Sequence, residues 1–176
     1  MNGRQPYPGL RPFEPEEPDI FFGREEQTDE LLRRLGYTRF LAVTGPSGCG
    51  KSSLVRAGMM AALKAGFMAA AGWRWRMALM RPGWNPMAHL AASLLEALSL
   101  ASTERARPET RAFFGATLRR GPLGLVELLR ERPLPERTNL LLVVDQFEEI
   151  FRFQQEKELS AREARSEEHT SELQSR

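Results

Sequence analysis

The chain has 176 residues, enough for one domain that buries about 70% of its extended surface, and its apolar fraction of 41% is ordinary for a globular protein. A net charge of +2 does not indicate a nucleic-acid-binding surface, and the best candidate for a membrane span, residues 59–73, is too short and contains Lys64. With one cysteine and no apolar signal-peptide core after Met1, the sequence predicts a cytoplasmic protein without disulfides.

The first two predicted elements are a leader and a helix. Residues 1–18 are rich in proline, which predicts an extended segment rather than a helix. A helix is then predicted from Asp19 to about Leu35, with Gly36 as its stop. Acidic residues fill its first turns and arginines its last turn, as the helix dipole favours.

The next element is a complete phosphate-binding P-loop, formed by Gly45, Pro46, Ser47, Gly48, Cys49, Gly50, Lys51 and Ser52. An apolar run at 39–44 predicts a buried strand before it, and helical apolar spacing over 53–63 predicts a helix after it. The glycines let the backbone approach phosphate oxygens, and the first amides of the helix face the anion. Lys51 suits the β- and γ-phosphates, the Ser52 hydroxyl suits Mg²⁺, and Ser53 belongs to the same nucleotide-binding stretch.

Beyond the P-loop, the sequence predicts a second strand at 73–80, then helices at 85–100, 108–120 and 122–132. Arg81 follows the second strand at the sheet edge where ligands bind. It is either a sensor of the γ-phosphate or, as we favour, a solvated or structural arginine. The three tryptophans, Trp73, Trp75 and Trp84, are predicted to be core residues rather than an adenine platform.

A third strand is predicted at 139–144, where a continuous apolar run ends in Asp145. An acid at the carboxyl end of a buried parallel strand lies where ligands bind, so Asp145 is the predicted Walker B residue and Mg²⁺ ligand. Glu148 or Glu149 would polarise the attacking water, and we favour Glu148 slightly. Together with Lys51, these glutamates are the candidate catalytic residues.

Three segments in this order, residues 6–13, 21–25 and 39–48, resemble the bacterial novel-STAND NTPases, which are signal-transduction ATPases. The Walker B stretch at 145–151 also matches the style of that family. The resemblance implies an α/β fold, a P-loop NTPase three-layer α/β/α sandwich with a parallel sheet. It also implies that Phe22, Gly23 and Arg24 line the adenine end of the site.

The same resemblance implies function and partners. Members of this family are slow ATPases that act as nucleotide-controlled switches, with ADP holding a closed form and ATP permitting self-association. ATP or ADP and Mg²⁺ are therefore the expected ligands. Protein partners are expected through C-terminal sensor or effector domains, and no membrane or nucleic-acid partner is expected.

The sequence divides into a leader at 1–18, the N-terminal part of an NTPase domain at 19–153, a charged stretch at 154–164 that is helical or disordered, and residues 165–176. The last segment reads as an in-frame translation of a common sequencing adapter and is predicted not to be native. The sandwich is then incomplete, because strands 4 and 5 and the lid regions have no counterpart. We expect the chain alone to be poorly folded, to bind ATP weakly and to be inactive.

The alternative function is that of a conventional P-loop ATPase, of the AAA type or ABC-like, which couples hydrolysis to mechanical or DNA-related work. The stretch 119–125 lacks the signature of ABC ATPases, which disfavours that branch. Turnover separates the classes, since a switch should hydrolyse well below the enzyme median of about 10 s⁻¹. Cys49 is predicted to be a small residue at a free position of the P-loop, and bound nucleotide is predicted to protect its thiol from alkylation.

Overall fold

The computed structural model describes residue 9 and residues 11–67, 74–98 and 107–156. The predictions for residues 1–8, Trp73 and 157–176, including the adapter segment, lie outside the described residues. The chain divides into two compact units, Met1–Trp75 with Arg137–Asn139, and Arg76–Glu136 with Leu140–Arg176. Each unit is described by itself below.

In the first unit, residues 11–17 are not helical and Pro18–Ile20 form a 3₁₀ turn. Helix α1 spans Glu25–Tyr37, so the predicted start at Asp19 is wrong. Gly23 adopts a left-handed φ of +78°, which a right-handed helix cannot contain, and the helix therefore begins after it. The predicted stop at Gly36 is also wrong, because the chain leaves helical geometry at Thr38, whose backbone is extended.

Helix α2 carries the residues after the P-loop and runs through three consecutive segments. Lys51–Ser53 are α-helical, Leu54–Met60 form a π-helix and Ala61–Lys64 are α-helical again, which confirms the predicted helix. Gly58 lies in the π segment against α1, where a Cβ atom would come within 2.5 Å of Thr28 Oγ1. Close contact of the two helices buries the apolar side chains Leu31, Leu32, Leu54, Ala57, Met59 and Met60.

The predicted strand at 39–44 carries no regular secondary structure and pairs with no strand among the described residues. Phe40 within it is 83% exposed, so the expectation of a buried strand is not met. A strand is held by the ladder hydrogen bonds of its neighbours, and the described part of the chain offers this segment none. The fold that the resemblance implies places strand 4 beside it, and no such strand occurs among the described elements.

The sheet consists of two parallel strands, β1 at Arg74–Met80 and β2 at Thr138–Val144, which confirms the predicted second and third strands. Arg74 N donates to Arg137 O at 2.8 Å at one end, and Asp145 N donates to Met80 O at 2.9 Å at the other. The resemblance implies the strand order 5-1-4-3-2, in which strands 2 and 3 are neighbours, and the direct pairing of β1 with β2 agrees with it. The mixed helix and strand content is compatible with an α/β fold.

The described part of the second unit contains α3 at Pro86–Ala97, α4 at Pro108–Arg119 and α5 at Gly124–Glu131, and residues 149–156 are helical as well. Its core is formed by side chains of β1 and these helices, Ala78, Leu94, Leu95, Phe114, Leu118 and Leu128. Helix α5 begins two residues later than predicted, at Gly124. A Cβ atom there would lie 2.6 Å from the Thr117 carbonyl oxygen, so the close approach of α4 requires glycine.

The prediction that the tryptophans are core residues is wrong for Trp84. Trp84 is 69% exposed and packs its ring on Phe153, with 4.6 Å between centroids, so it is not a core residue. Trp75 is half-buried. Among the helices of the described ranges, none combines the length and apolar character needed to cross a membrane.

Candidate nucleotide-binding site

The P-loop leads directly into α2 through left-handed glycines. Gly48 has a φ of +77° and Gly50 a φ of +83°, a backbone conformation that residues other than glycine rarely adopt. Gly50 is the N-cap residue of α2 and offers no side chain to cap the helix. The N-cap residue therefore contributes no side-chain acceptor at the helix end where an anion would be attracted by the helix dipole.

Lys51 folds back over its own loop. Its Nζ atom donates hydrogen bonds to the carbonyl oxygens of Gly45, at 2.9 Å, and Pro46, at 2.8 Å. These bonds hold the ammonium group beside the backbone that precedes the helix. The same charge is thereby available at the mouth of the loop for an incoming phosphate.

Arg24 joins the two stretches that the sequence assigned separately to the adenine end and to the phosphate end. Its Nη2 atom donates a hydrogen bond to the carbonyl oxygen of Cys49, and a Cβ atom at Gly50 would lie 3.5 Å from Nη2. Beside it, Phe22 is 73% exposed. Gly23 N donates to Glu25 Oε1 at 3.0 Å, and backbone amides at the start of α1 lower the pKa of Glu25.

The leader packs along α2, a contact that the sequence did not predict. Phe13 N donates to Ser53 Oγ at 3.1 Å, and Arg56 Nη1 pairs with Glu14 Oε1 at 2.8 Å. Further along, Lys64 Nζ pairs with Glu16 at 2.6 Å. Ser53, predicted to bind nucleotide, thus uses its hydroxyl oxygen as an acceptor for the leader. Residues 42 positions apart leave no periodic signal in a sequence, and only the proline content pointed to an ordered segment here.

The predicted Walker B acid, Asp145, lies in the second unit, directly after β2. The Asp145 carboxylate is 11% exposed, and its Oδ2 atom lies 3.4 Å from Arg81 Nε. Arg81, the arginine that follows β1, is thereby an ion-pair partner of the acid. Its sequence position after β1 places it beside Asp145 because the two parallel strands end together.

The two candidate glutamates differ in their surroundings. Glu149 is 15% exposed, accepts a hydrogen bond from Gly83 N at 3.0 Å and lies 3.9 Å from Arg152. Glu148 is exposed, and its side chain has no hydrogen-bond or ion-pair partner among the described residues. The structure therefore separates a held glutamate from a glutamate that faces solvent.

The predicted site residues are distributed over both units. Phe22, Gly23, Arg24 and the P-loop lie in the first unit, whereas Asp145, Glu148 and Glu149 lie in the second. Across residues 11–67, 74–98 and 107–156, no group of three or more His, Cys, Asp or Glu side chains could hold a metal by itself. The oxygen donors predicted for Mg²⁺, the Ser52 hydroxyl and the Asp145 carboxylate, are of the chemical type that this ion prefers.

Comparison with known proteins identifies one family. The profile of the family "novel STAND NTPase 1" matches residues 6–169, which is most of the chain. No curated protein and no solved structure matches the chain in the same comparisons.

Proposed function

Because the chain belongs to the novel STAND NTPase 1 family, we propose that its NTPase domain binds ATP with Mg²⁺, hydrolyses it slowly and acts as a nucleotide-controlled switch. Measured binding and turnover decide between this activity and the inactivity that the sequence predicts for the chain alone. The observation that carries the proposal is the P-loop at the start of α2. It combines left-handed glycines, an N-terminal helical turn without a side-chain cap and a lysine held at the loop.

At the phosphate end, the proposal assigns anion binding to the loop amides and to Lys51. The lysine gives up two carbonyl partners, Gly45 and Pro46, and gains the β- and γ-phosphates, a stronger charge-assisted interaction. Residues 46–49 contribute backbone that curves around the phosphates, and none of their side chains is needed for this role.

At the adenine end, the exposed ring of Phe22 and the turn at Gly23 are proposed to bind the base. Support comes from the Arg24 hydrogen bond, which connects this turn to the phosphate-binding loop within one unit. One nucleotide could then contact both stretches, with Arg24 fixing the distance between them.

Catalysis is proposed to use the acids after β2. Mg²⁺, when bound by Ser52 and Asp145, would neutralise charge on the phosphate oxygens. Glu148 is proposed to orient the attacking water, supported by its exposure and by the lack of a partner in the described part of the chain. Glu149 is proposed to support the loop that contains Gly83.

The proposal is tested by nucleotide binding to the full chain and to two lysine variants of α2. Lys51→Ala is expected to weaken ATP binding at least about 30-fold, the loss of one charge-assisted interaction. Lys64→Ala removes the same charge from the same helix, next to Glu16, and is expected to leave affinity within about twofold because the contact is exposed. Equal affinities for the two variants would overturn the assignment of the P-loop.

A further inference from the structure

One imidazole holds the loop that leads from β1 to α3. His89 lies in the first turn of α3, and its Nδ1 atom is 3.0 Å from the Arg81 carbonyl oxygen and 2.9 Å from that of Pro82. Carbonyl oxygens only accept hydrogen bonds, so Nδ1 must carry a proton and donate to both. The neutral ring is thereby fixed as the Nδ1–H tautomer.

The backbone closes tightly around this ring. Gly83 has a φ of +52°, and a Cβ atom there would lie 2.9 Å from His89 Cε1 and 3.2 Å from Nδ1. Pro82, one of the two residues whose carbonyl oxygens His89 contacts, is fully buried. The loop of residues 81–83 is thus held by two hydrogen bonds and by contact with one side chain.

The same three-residue loop contacts two of the acids that follow β2, Asp145 and Glu149. Arg81 Nε faces Asp145 Oδ2 at 3.4 Å, and Gly83 N donates to Glu149 Oε2 at 3.0 Å. His89 touches neither acid. It donates instead to the carbonyl oxygens of Arg81 and Pro82. Other groups of the same loop, the Arg81 side chain and the Gly83 amide, contact Asp145 and Glu149.

We propose that His89 is a positioning residue for the acidic end of the site. Its Nδ1–H group fixes the 81–83 loop, which in turn orients Asp145 and holds Glu149 away from the neighbouring Glu148. The inference rests on the proposed function for its effect on ATP hydrolysis, while its structural part concerns hydrogen bonds within one unit.

The structural part is tested without nucleotide. The chain has two histidines, so a His169→Gln variant labelled with ¹⁵N-histidine gives the signals of His89 alone. At mildly alkaline pH we expect a protonated Nδ1 and an unprotonated Nε2. The Nε2–H tautomer, which free imidazoles prefer, would overturn the proposal.

Two near-isosteric substitutions distinguish the hydrogen bond from mere packing. The amide nitrogen of asparagine falls close to the position of Nδ1, whereas that of glutamine falls close to Nε2. We expect His89→Asn to retain slow hydrogen exchange at the Gly83 amide and turnover within about threefold, while His89→Gln and His89→Ala lose the exchange protection and about tenfold in kcat. Nucleotide affinity should stay within about twofold in all three. Equal losses for Asn and Gln, or kcat losses matched by losses of affinity, would overturn the positioning role.

The outcomes also separate this inference from the function on which it rests. Gly83 protection that follows the three variants in a chain that binds no ATP would support the loop assignment and overturn the proposed function. Hydrolysis of ATP by a chain in which neither protection nor kcat follows the variants would overturn the positioning role alone.

Discussion

The guanidinium group of Arg24, one residue before α1, donates a hydrogen bond to the carbonyl oxygen of Cys49 in the P-loop. This bond ties the first helix of the unit to the loop in which phosphate is proposed to bind. Arg24 can therefore affect nucleotide binding even without touching the nucleotide.

Removal of this bond should weaken nucleotide binding. Arg24→Ala is expected to lower ATP affinity about 10-fold, since a hydrogen bond from a charged group contributes about 1.5–3 kcal/mol. Isothermal titration calorimetry on the full chain measures the effect. Arg33→Ala is the matched control, because it removes an exposed arginine of α1 that pairs only locally, with Glu30. Similar losses in both variants would point to the overall charge rather than to the loop contact.

The single thiol provides a probe of the loop. Cys49 is exposed, and a Cβ atom at Gly45 would lie 3.1 Å from its Sγ atom, so the thiol lies within the loop itself. We expect saturating ATP to slow alkylation by iodoacetamide by about an order of magnitude or more, because bound nucleotide would reduce access to the thiol. Lys51→Ala should abolish the protection. Equal alkylation rates with and without ATP in the unsubstituted chain would contradict the prediction.

Two ion pairs that join the leader to α2 should differ in their contribution to stability. The side chain of Arg56 is 10% exposed, so Glu14→Ala leaves a mostly buried charge without this partner and is expected to cost about 1–3 kcal/mol. Glu16→Ala removes the pair with Lys64, whose side chain is 47% exposed, and should cost about 0–1 kcal/mol. Urea unfolding gives both values, and an equal cost would show that burial of Arg56 does not decide the effect.

One carboxylate, that of Glu30, should become protonated only at unusually low pH. Hydrogen bonds from Arg33 and then Arg34 lower the pKa of Glu30 from 4.5 to about 2. A carboxylate whose pKa is lowered by folding adds stability above the unfolded value, and this stability is lost as the pH falls from about 4.5 towards 2. We expect a carboxyl ¹³C titration to give Glu30 a pKa of about 2. Substituting both arginines by Gln should return it to the ordinary range, and high salt should reduce the shift.

The two glutamates after Asp145 should respond differently to loss of charge. Glu148→Gln is expected to leave ATP affinity intact and to lower hydrolysis about 100-fold, comparable with loss of one preorganised electrostatic group. Glu149→Gln retains an oxygen that can accept from Gly83 N and should have a smaller effect. Single-turnover hydrolysis measures both, and a loss confined to Glu149→Gln would reverse the assignment.

Local signals predicted much of this structure. Apolar spacing and turn residues predicted the strands β1 and β2. Capping chemistry predicted that α3 begins just after Asn85, and the fixed spacing of the P-loop predicted the loop before α2. Asn85 does accept the Ala88 amide at 3.2 Å. The start of α1 was missed because Gly23 overrides the acidic residues before it. The segment 39–44 was expected to be a strand, but whether an apolar run pairs depends on neighbours that its own residues do not encode.

The candidate site shows the same division. The P-loop and Asp145 were predictable because a fixed spacing or a strand end marks them. His89 was missed, since a lone histidine in a helix carries no signal until the 81–83 loop is seen to fold around it. The same holds for Glu14 and Arg56, which meet only after the leader has packed on α2.

The missing side chain at Gly58 has a mechanical consequence. The Thr28 side chain of α1 lies against the α2 backbone there, in the space that a Cβ atom at Gly58 would enter. Close-packed contacts of this kind transmit displacement rather than damp it. If phosphate binding shifts α2, we expect α1 to move with it. The N-terminal end of α1 adjoins the turn at Gly23, so that turn would move as well.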